Sequence, residues 1–298
     1  VRAAALGGTG AYARLLRPSH WVKNVFVLAG LFFSGYWRDP ALGLKALAAL
    51  LAFCLAASAV YCLNDAADAE KDRLHPAKRF RPVASGEVDR ASAWALAAVL
   101  LSGSAWLSAW GGPGLPWAVS GYVAVNVLYS FGLKRFVLVD VFCIAAGFIL
   151  RLLAGTWGIG IEPSRWFLLC TMALSLFLGF SKRYAELMDP RRALEDKRAV
   201  LRGYSPELLR VLLGVTLSAT LMAYGLYTAS PRTLAVHGTA HLIYTLPPAM
   251  FALFRYLYLV MQRGYGENTV ADMLRDGPML AAAAVYLAVA GGLLYAGG

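Results

Sequence analysis

Between Ala91 and Leu133 the chain carries no charged side chain, and Gly111-Gly112-Pro113-Gly114 interrupts the run near its middle. At ~1.5 Å of rise per residue, each half is long enough to cross the ~30 Å hydrocarbon layer of a bilayer as a helix. Composition agrees with that solvent: 59% of the 298 residues are hydrophobic and 15% charged, where a soluble domain carries about a quarter charged. Apolar runs bounded by charge, Pro or Gly place nine spans, roughly at 22–37, 41–63, 91–110, 115–133, 137–158, 164–181, 207–229, 239–261 and 278–296. The expected fold is all-α, a polytopic membrane helical bundle forming a single integral membrane domain over 1–298.

Charge placement orients the bundle. Segments 1–23, 64–90, 134–135, 182–210 and 255–275 hold 23 of the 28 Lys and Arg residues. Arg38, Lys45, Arg165 and Arg232 lie opposite, and Arg151 falls within a span. Because Lys and Arg collect on the cytoplasmic side, the N-terminus is expected inside and the C-terminus outside. Arg14, Arg17 and Lys23 precede a first apolar run that ends without a small-residue cleavage pattern, so that run is expected to be retained. Cys54, Cys62, Cys143 and Cys170 fall in or beside apolar segments at unrelated spacings and read as packing residues. The net charge of +11 sits in short loops between spans, which suits membrane lipids and phosphate and excludes a nucleic-acid reader. The sequence leaves association into a homo-oligomer open.

The second span runs into Asn64-Asp65-Ala66-Ala67-Asp68-Ala69-Glu70-Lys71-Asp72. On a continuous helix, at about 100° per residue, Asn64, Asp65, Asp68 and Asp72 fall at about 0°, 100°, 40° and 80°, and Glu70 points away. Three carboxylates on one face repel one another unless cations neutralise them. Magnesium suits the position, since it takes oxygen ligands and binds few carboxylates together with substrate phosphates. Asp65, Asp68 and Asp72 are therefore the candidate metal ligands and catalytic residues, with Asn64 beside them. Downstream, His75-Pro76-Ala77-Lys78-Arg79-Phe80-Arg81-Pro82 is a basic strip stiffened by two prolines. Lys78, Arg79 and Arg81 can clamp phosphate oxygens there, or serve only as a topogenic cluster.

These residues resemble the UbiA superfamily of intramembrane prenyltransferases, whose first signature, NDxxDxxxD after the second helix, is matched by Asn64, Asp65, Asp68 and Asp72. Arg17-Pro18-Ser19-His20-Trp21-Val22-Lys23-Asn24, the basic strip, and Ser181-Lys182-Arg183-Tyr184-Ala185-Glu186-Leu187 look like the branch that transfers phosphoribosyl groups to decaprenyl phosphate. The likeness covers nearly the whole chain. It implies a magnesium-dependent bacterial plasma-membrane enzyme that moves a 5-phosphoribosyl group from phosphoribosyl diphosphate to a polyprenyl phosphate lipid, for the arabinofuranose donor pathway of the cell envelope. Other members carry a second motif, DxxxD, after the sixth span; here Lys182, Arg183 and Tyr184 stand with Glu186 and Asp189, a basic group suited to phosphate. A tyrosine-and-lysine motif between the fourth and fifth helices survives in altered form, with Tyr129 and Lys134 as phosphate contacts.

Three groups carry two readings each. Lys23 and Asn24 can contact ligand phosphate or mark the interface beside Trp21. Asp140 and Arg151 lie eleven residues apart on one face of the fifth span; Arg151 binds lipid phosphate or pairs internally with Asp140 or another carboxylate. His237 and His241 have metal-ligand spacing but lack an acidic third ligand and read as structural. Two rival functions remain: prenyl transfer to an aromatic acceptor, and a lipid transporter, which would line its spans with polar residues.

Overall fold

The computed structural model describes residues 8–36, 38–76, 78–189, 199–266 and 269–296. Their regular secondary structure is all helical, with no strand among the described residues. They divide into two compact units, Val1–Phe131 with Leu150–Pro163, and Gly132–Ile149 with Ser164–Gly298.

In the first unit lie α1 (Thr9–Leu16), α2 (Phe26–Phe33), α3 (Pro40–Ala67), α4 (Ala69–Arg73), α5 (Arg90–Ser108) and α6 (Leu115–Phe131), with the last turns of α7 (Val139–Ala154). Asp39 starts α3: its Oδ1 accepts the Ala41 and Leu42 amides, and Pro40 occupies the first turn, where its missing N–H costs nothing. Asp89 does the same for α5 by accepting the Ser92 amide. A stripe of Ala46, Ala49, Ala52, Ala56 and Ala59, each fully buried, runs along α3. Small side chains let helices approach closely where lipid gives no hydrophobic drive between them. α5 lies against α3, and Ser104 on it donates to the Ala52 carbonyl at 2.8 Å.

In the second unit are most of α7 and then α8 (Arg165–Met188), α9 (Pro206–Ala229), α10 (Pro231–His237), α11 (Leu246–Arg263), α12 (Thr269–Arg275) and α13 (Gly277–Ala296). Ser164, Ser205 and Ser230 cap α8, α9 and α10 through the Phe167, Leu208 and Thr233 amides. The core is Val141, Phe177, Leu209, Leu213 and Tyr256, all inaccessible to solvent.

Six helices among the described residues are long and apolar enough to cross a membrane: Pro40–Ala67, Arg90–Ser108, Val139–Ile159, Arg165–Met188, Pro206–Ala229 and His241–Arg263. The chain is a multi-pass membrane protein. Three of the nine expected spans, at 22–37, 115–133 and 278–296, are not among these six; the last two are the helices Leu115–Phe131 and Gly277–Ala296. The run at 22–37 is a 3-10 stretch, Pro18–Val25, leading into the 8-residue α2, and Gly35 at φ 79 turns the chain after it. The four cysteines are free thiols.

Candidate active site

In the first unit the acidic segment is not one helix. α3 ends at Ala67, Asp68 adopts φ −92 and ψ 3, and α4 resumes at Ala69. The hydrogen-bond ladder nonetheless runs through the break, from the Asp68 amide to the Asn64 carbonyl and from the Asp72 amide to the Asp68 carbonyl, each at 2.9 Å. Asp65 and Asp72 therefore stay on one side, as expected, and both are buried. The expected seat of three carboxylates around a metal is not assembled: among the described residues no three of His, Cys, Asp or Glu stand close enough to hold an ion. Arginine takes that place, because carboxylates brought together need positive charge. Arg81 Nη1 donates to Asp72 Oδ2 at 2.7 Å and to Asp65 Oδ1 at 3.3 Å. Arg17 Nη2 donates to the same Oδ1 of Asp65 at 2.7 Å.

Asp65 Oδ2, by contrast, is buried and without a hydrogen-bond partner. Buried carboxylate oxygens are ordinarily satisfied, and an ionised carboxylate can only accept. An orphaned acceptor beside a second buried carboxylate suits a bound cation. Asn64 and Asp68 are half-buried at the same turn.

The basic strip splits in two. Arg81 turns inward to the carboxylates, while Lys78 and Arg79 stay exposed on the 3-10 turn Lys78–Phe80, Arg79 lying over the Phe80 ring at 4.8 Å. Ala77 lies outside the described residues. Arg17 belongs to the site although sequence reasoning assigned it no role. Its left-handed backbone, φ 51 and ψ 57, turns the chain from α1 into Pro18, and its guanidinium lies 4.8 Å over Tyr61. Trp21 Nε1 donates to Ser58 Oγ, and Ser58 Oγ donates to the Leu16 carbonyl, which fixes the segment along α3.

Deeper in this unit Asn24 and Arg151 meet. Arg151 Nε donates to Asn24 Oδ1 at 2.8 Å and Nη2 to Tyr122 OH at 3.2 Å, with the guanidinium 4.7 Å over the Tyr122 ring. Asn24 is buried and holds the arginine, whereas Lys23 is exposed one residue earlier. Tyr129 is half-buried.

In the second unit the expected phosphate group is largely turned inward. Arg183 Nε donates to Asp140 Oδ2 at 2.6 Å and Nη1 to Glu186 Oε2 at 2.7 Å, all three side chains buried. Tyr204 OH donates to Asp140 Oδ1 at 2.8 Å and accepts the Leu138 amide at 2.8 Å. Burial and the neighbouring Asp140 carboxylate push the Tyr204 phenol well above its usual range. Asp140, one of the partners considered for Arg151, is engaged by Arg183 instead. Arg183 is engaged with two carboxylates, and Tyr184 is packed into the hydrophobic core. Lys182 and Lys134 are half-buried. His237 Nε2 meets Tyr227 OH at 3.3 Å, and His241 stacks on Tyr244.

Three comparisons bear on this arrangement. The chain is 37% identical over 253 residues, 82% of its length and 80% of the other protein, to a decaprenyl-phosphate phosphoribosyltransferase of Mycolicibacterium smegmatis. It is 39% identical to the decaprenyl-phosphate phosphoribosyltransferase of Corynebacterium glutamicum, over 72% of this chain and 66% of that one. A solved UbiA homolog from Archaeoglobus fulgidus, bound to GPP and Mg2+, shares the fold with a TM-score of 0.67 at 19% identity, covering 96% of this chain and 99% of that one. The family model for UbiA prenyltransferases matches residues 24–274, across both units, and the chain belongs to the UbiA prenyltransferase family.

Proposed function

We propose that the chain transfers a 5-phosphoribosyl group from phosphoribosyl diphosphate to the phosphate of a polyprenyl lipid such as decaprenyl phosphate, releasing diphosphate. The observation that carries this is the 37% identity, over 82% of the chain, to a protein named for that reaction. The residues agree with it. Asp65, Asp72 and Asp68 would hold a divalent cation, magnesium in this reading, and the orphaned Asp65 Oδ2 is the first acceptor for it. Bound there, the cation would neutralise charge on the diphosphate.

As the bond from the anomeric carbon to the diphosphate breaks, its electron pair leaves with the diphosphate, and an oxygen of the lipid phosphate forms the new bond to that carbon. Arg81, Lys78 and Arg79 would stabilise charge on the leaving group, with Asn64 supporting the carboxylates. Lys23, Tyr129, Lys134 and Lys182 are further phosphate contacts in this reading. Arg151, held by Asn24 and Tyr122, would receive the lipid phosphate. A lipid phosphate is ionised near neutral pH, so no dedicated base is needed. In the second unit Glu186 is engaged with Arg183, which removes one carboxylate from the place where other family members carry a second acidic motif. That favours phosphoribosyl transfer over prenyl transfer to an aromatic acceptor.

The match at 24–274 runs across both units, which supports one catalytic domain. The N-terminus is cytoplasmic and the C-terminus outside in the bacterial plasma membrane, so the water-soluble donor enters from the cytosol. Incubating purified protein with polyprenyl phosphate, magnesium and labelled phosphoribosyl diphosphate tests the proposal. Label should move into the lipid phase. A protein that leaves all label in water, yet prenylates an aromatic acid, overturns it.

A further inference from the structure

Asp65 is neutralised on one oxygen and bare on the other. Arg17 and Arg81 both donate to Oδ1, and Oδ2 is buried without a hydrogen-bond partner. The two arginines are held differently. Arg81 is shared between Asp65 and Asp72. Arg17 pairs with Asp65, its side chain is 23% exposed, and its guanidinium lies over the face of Tyr61. An aromatic face attracts a cation without fixing its direction, so the guanidinium can turn while remaining on the ring. Its backbone stays anchored meanwhile, by Pro18 in the next turn, by His20 Nδ1 to Tyr61 OH at 2.9 Å and by Trp21 to Ser58 at 3.0 Å.

We infer that Arg17 is a place-holding cation: it occupies Asp65 until metal and diphosphate arrive together, then yields the carboxylate and turns its guanidinium to a diphosphate oxygen. The inference rests on the reading that Asp65 seats the metal. A divalent ion at Oδ2 alone is repelled by Arg17, whose guanidinium sits on the other oxygen of the same carboxylate. A metal accompanied by diphosphate brings surplus negative charge, and the planar guanidinium fork fits phosphate as well as it fits carboxylate. Arg17 thus opposes metal alone and favours metal with substrate, a coupling between the two ligands through one side chain.

Mn2+ binding to the purified protein in detergent, read by electron paramagnetic resonance without substrate, tests this directly. Arg17→Gln should bind Mn2+ roughly tenfold more tightly than the natural protein, and at saturating Mn2+ should bind phosphoribosyl diphosphate roughly tenfold more weakly. Unchanged or weaker Mn2+ binding by Arg17→Gln overturns the role of Arg17. If that variant does not fold, Arg17→Lys carries the test. It keeps the charge and loses the fork, so Mn2+ binding should stay near that of the natural protein while phosphoribosyl diphosphate affinity falls severalfold. No such fall overturns the inference. Asp65→Asn separates the two readings: Mn2+ binding that survives it removes the metal seat and the inference together. Binding lost in Asp65→Asn but indifferent to Arg17→Gln keeps the seat and overturns the inference alone.

Discussion

Arg183 donates to two carboxylates, Asp140 and Glu186, in a part of the second unit where all three side chains are shut away from solvent. Burying three charges is costly, and the arrangement holds only while every partner is present. Replacing Arg183 with Met should lower stability by about 3 to 5 kcal/mol, because it takes their shared guanidinium from two buried carboxylates. Combining it with Asp140→Asn and Glu186→Gln should recover most of the loss, since no buried charge is then unpaired. Thermal unfolding of the detergent-solubilised variants, followed by tryptophan fluorescence, measures both; a single variant as stable as the natural protein refutes the account. The sequence shows why this cluster was missed. Asp140 and Arg151, eleven residues apart on one helix, share a face, but at ~1.5 Å per residue they are ~16 Å apart along the axis, too far to pair. The partner Asp140 does find is 43 positions away, on another helix. Arg17, 48 positions before Asp65, was hidden for the same reason. Asp65 and Asp72 were legible because seven residues make two helical turns, a distance local geometry controls.

At the scale of elements, glycines decide how closely α2 meets the turn after α7. A Cβ on Gly155 would stand 1.7 Å from the Val27 carbonyl oxygen, and one on Gly30 would stand 2.4 Å from the Gly155 carbonyl oxygen. The contact is backbone on backbone, with no flexible side chain to move aside. It also sets the register in which Asn24, just ahead of α2, accepts from Arg151. Gly155→Ala should therefore force the two segments apart, at a cost of about 1 to 3 kcal/mol or more. Gly43, on α3, has open space around its missing Cβ, and Gly43→Ala should be neutral or raise stability by up to about 1 kcal/mol. The same unfolding measurement on both variants checks the contrast, and equal effects would defeat it. Neither glycine stood out in the sequence, because close approach depends on a partner segment. The expected spans at 41–63 and 207–229 start close to where the helices do, because Asp39-Pro40 and Ser205-Pro206 each place a capping oxygen before a proline in the first turn. The break at Asp68 was not legible, since Asn64–Asp72 contains no Pro or Gly to mark it.

For the whole molecule, the membrane sets the constraint that every backbone polar group be satisfied internally, which only helices or closed barrels achieve. The long apolar helices meet it, and hydrophobic runs announced all six of them. Orientation is a separate matter, decided by where Lys and Arg collect. Twenty-three of the 28 lie in segments assigned to the cytoplasm, Arg90 among them, with Arg232 on the opposite side. Both side chains are exposed, which makes the assignment testable by thiol labelling. Of the four native cysteines only Cys143 is partly exposed, so Cys143→Ser provides the background. In that background Arg232→Cys should react with a membrane-impermeant maleimide on intact spheroplasts, and Arg90→Cys should react only after permeabilisation. The reverse pattern would put the acidic segment after α3 on the outer face. A phosphorylated sugar donor made in the cytosol could not reach Asp65 there, and the proposed reaction would fail on access alone, whatever the chemistry of the site.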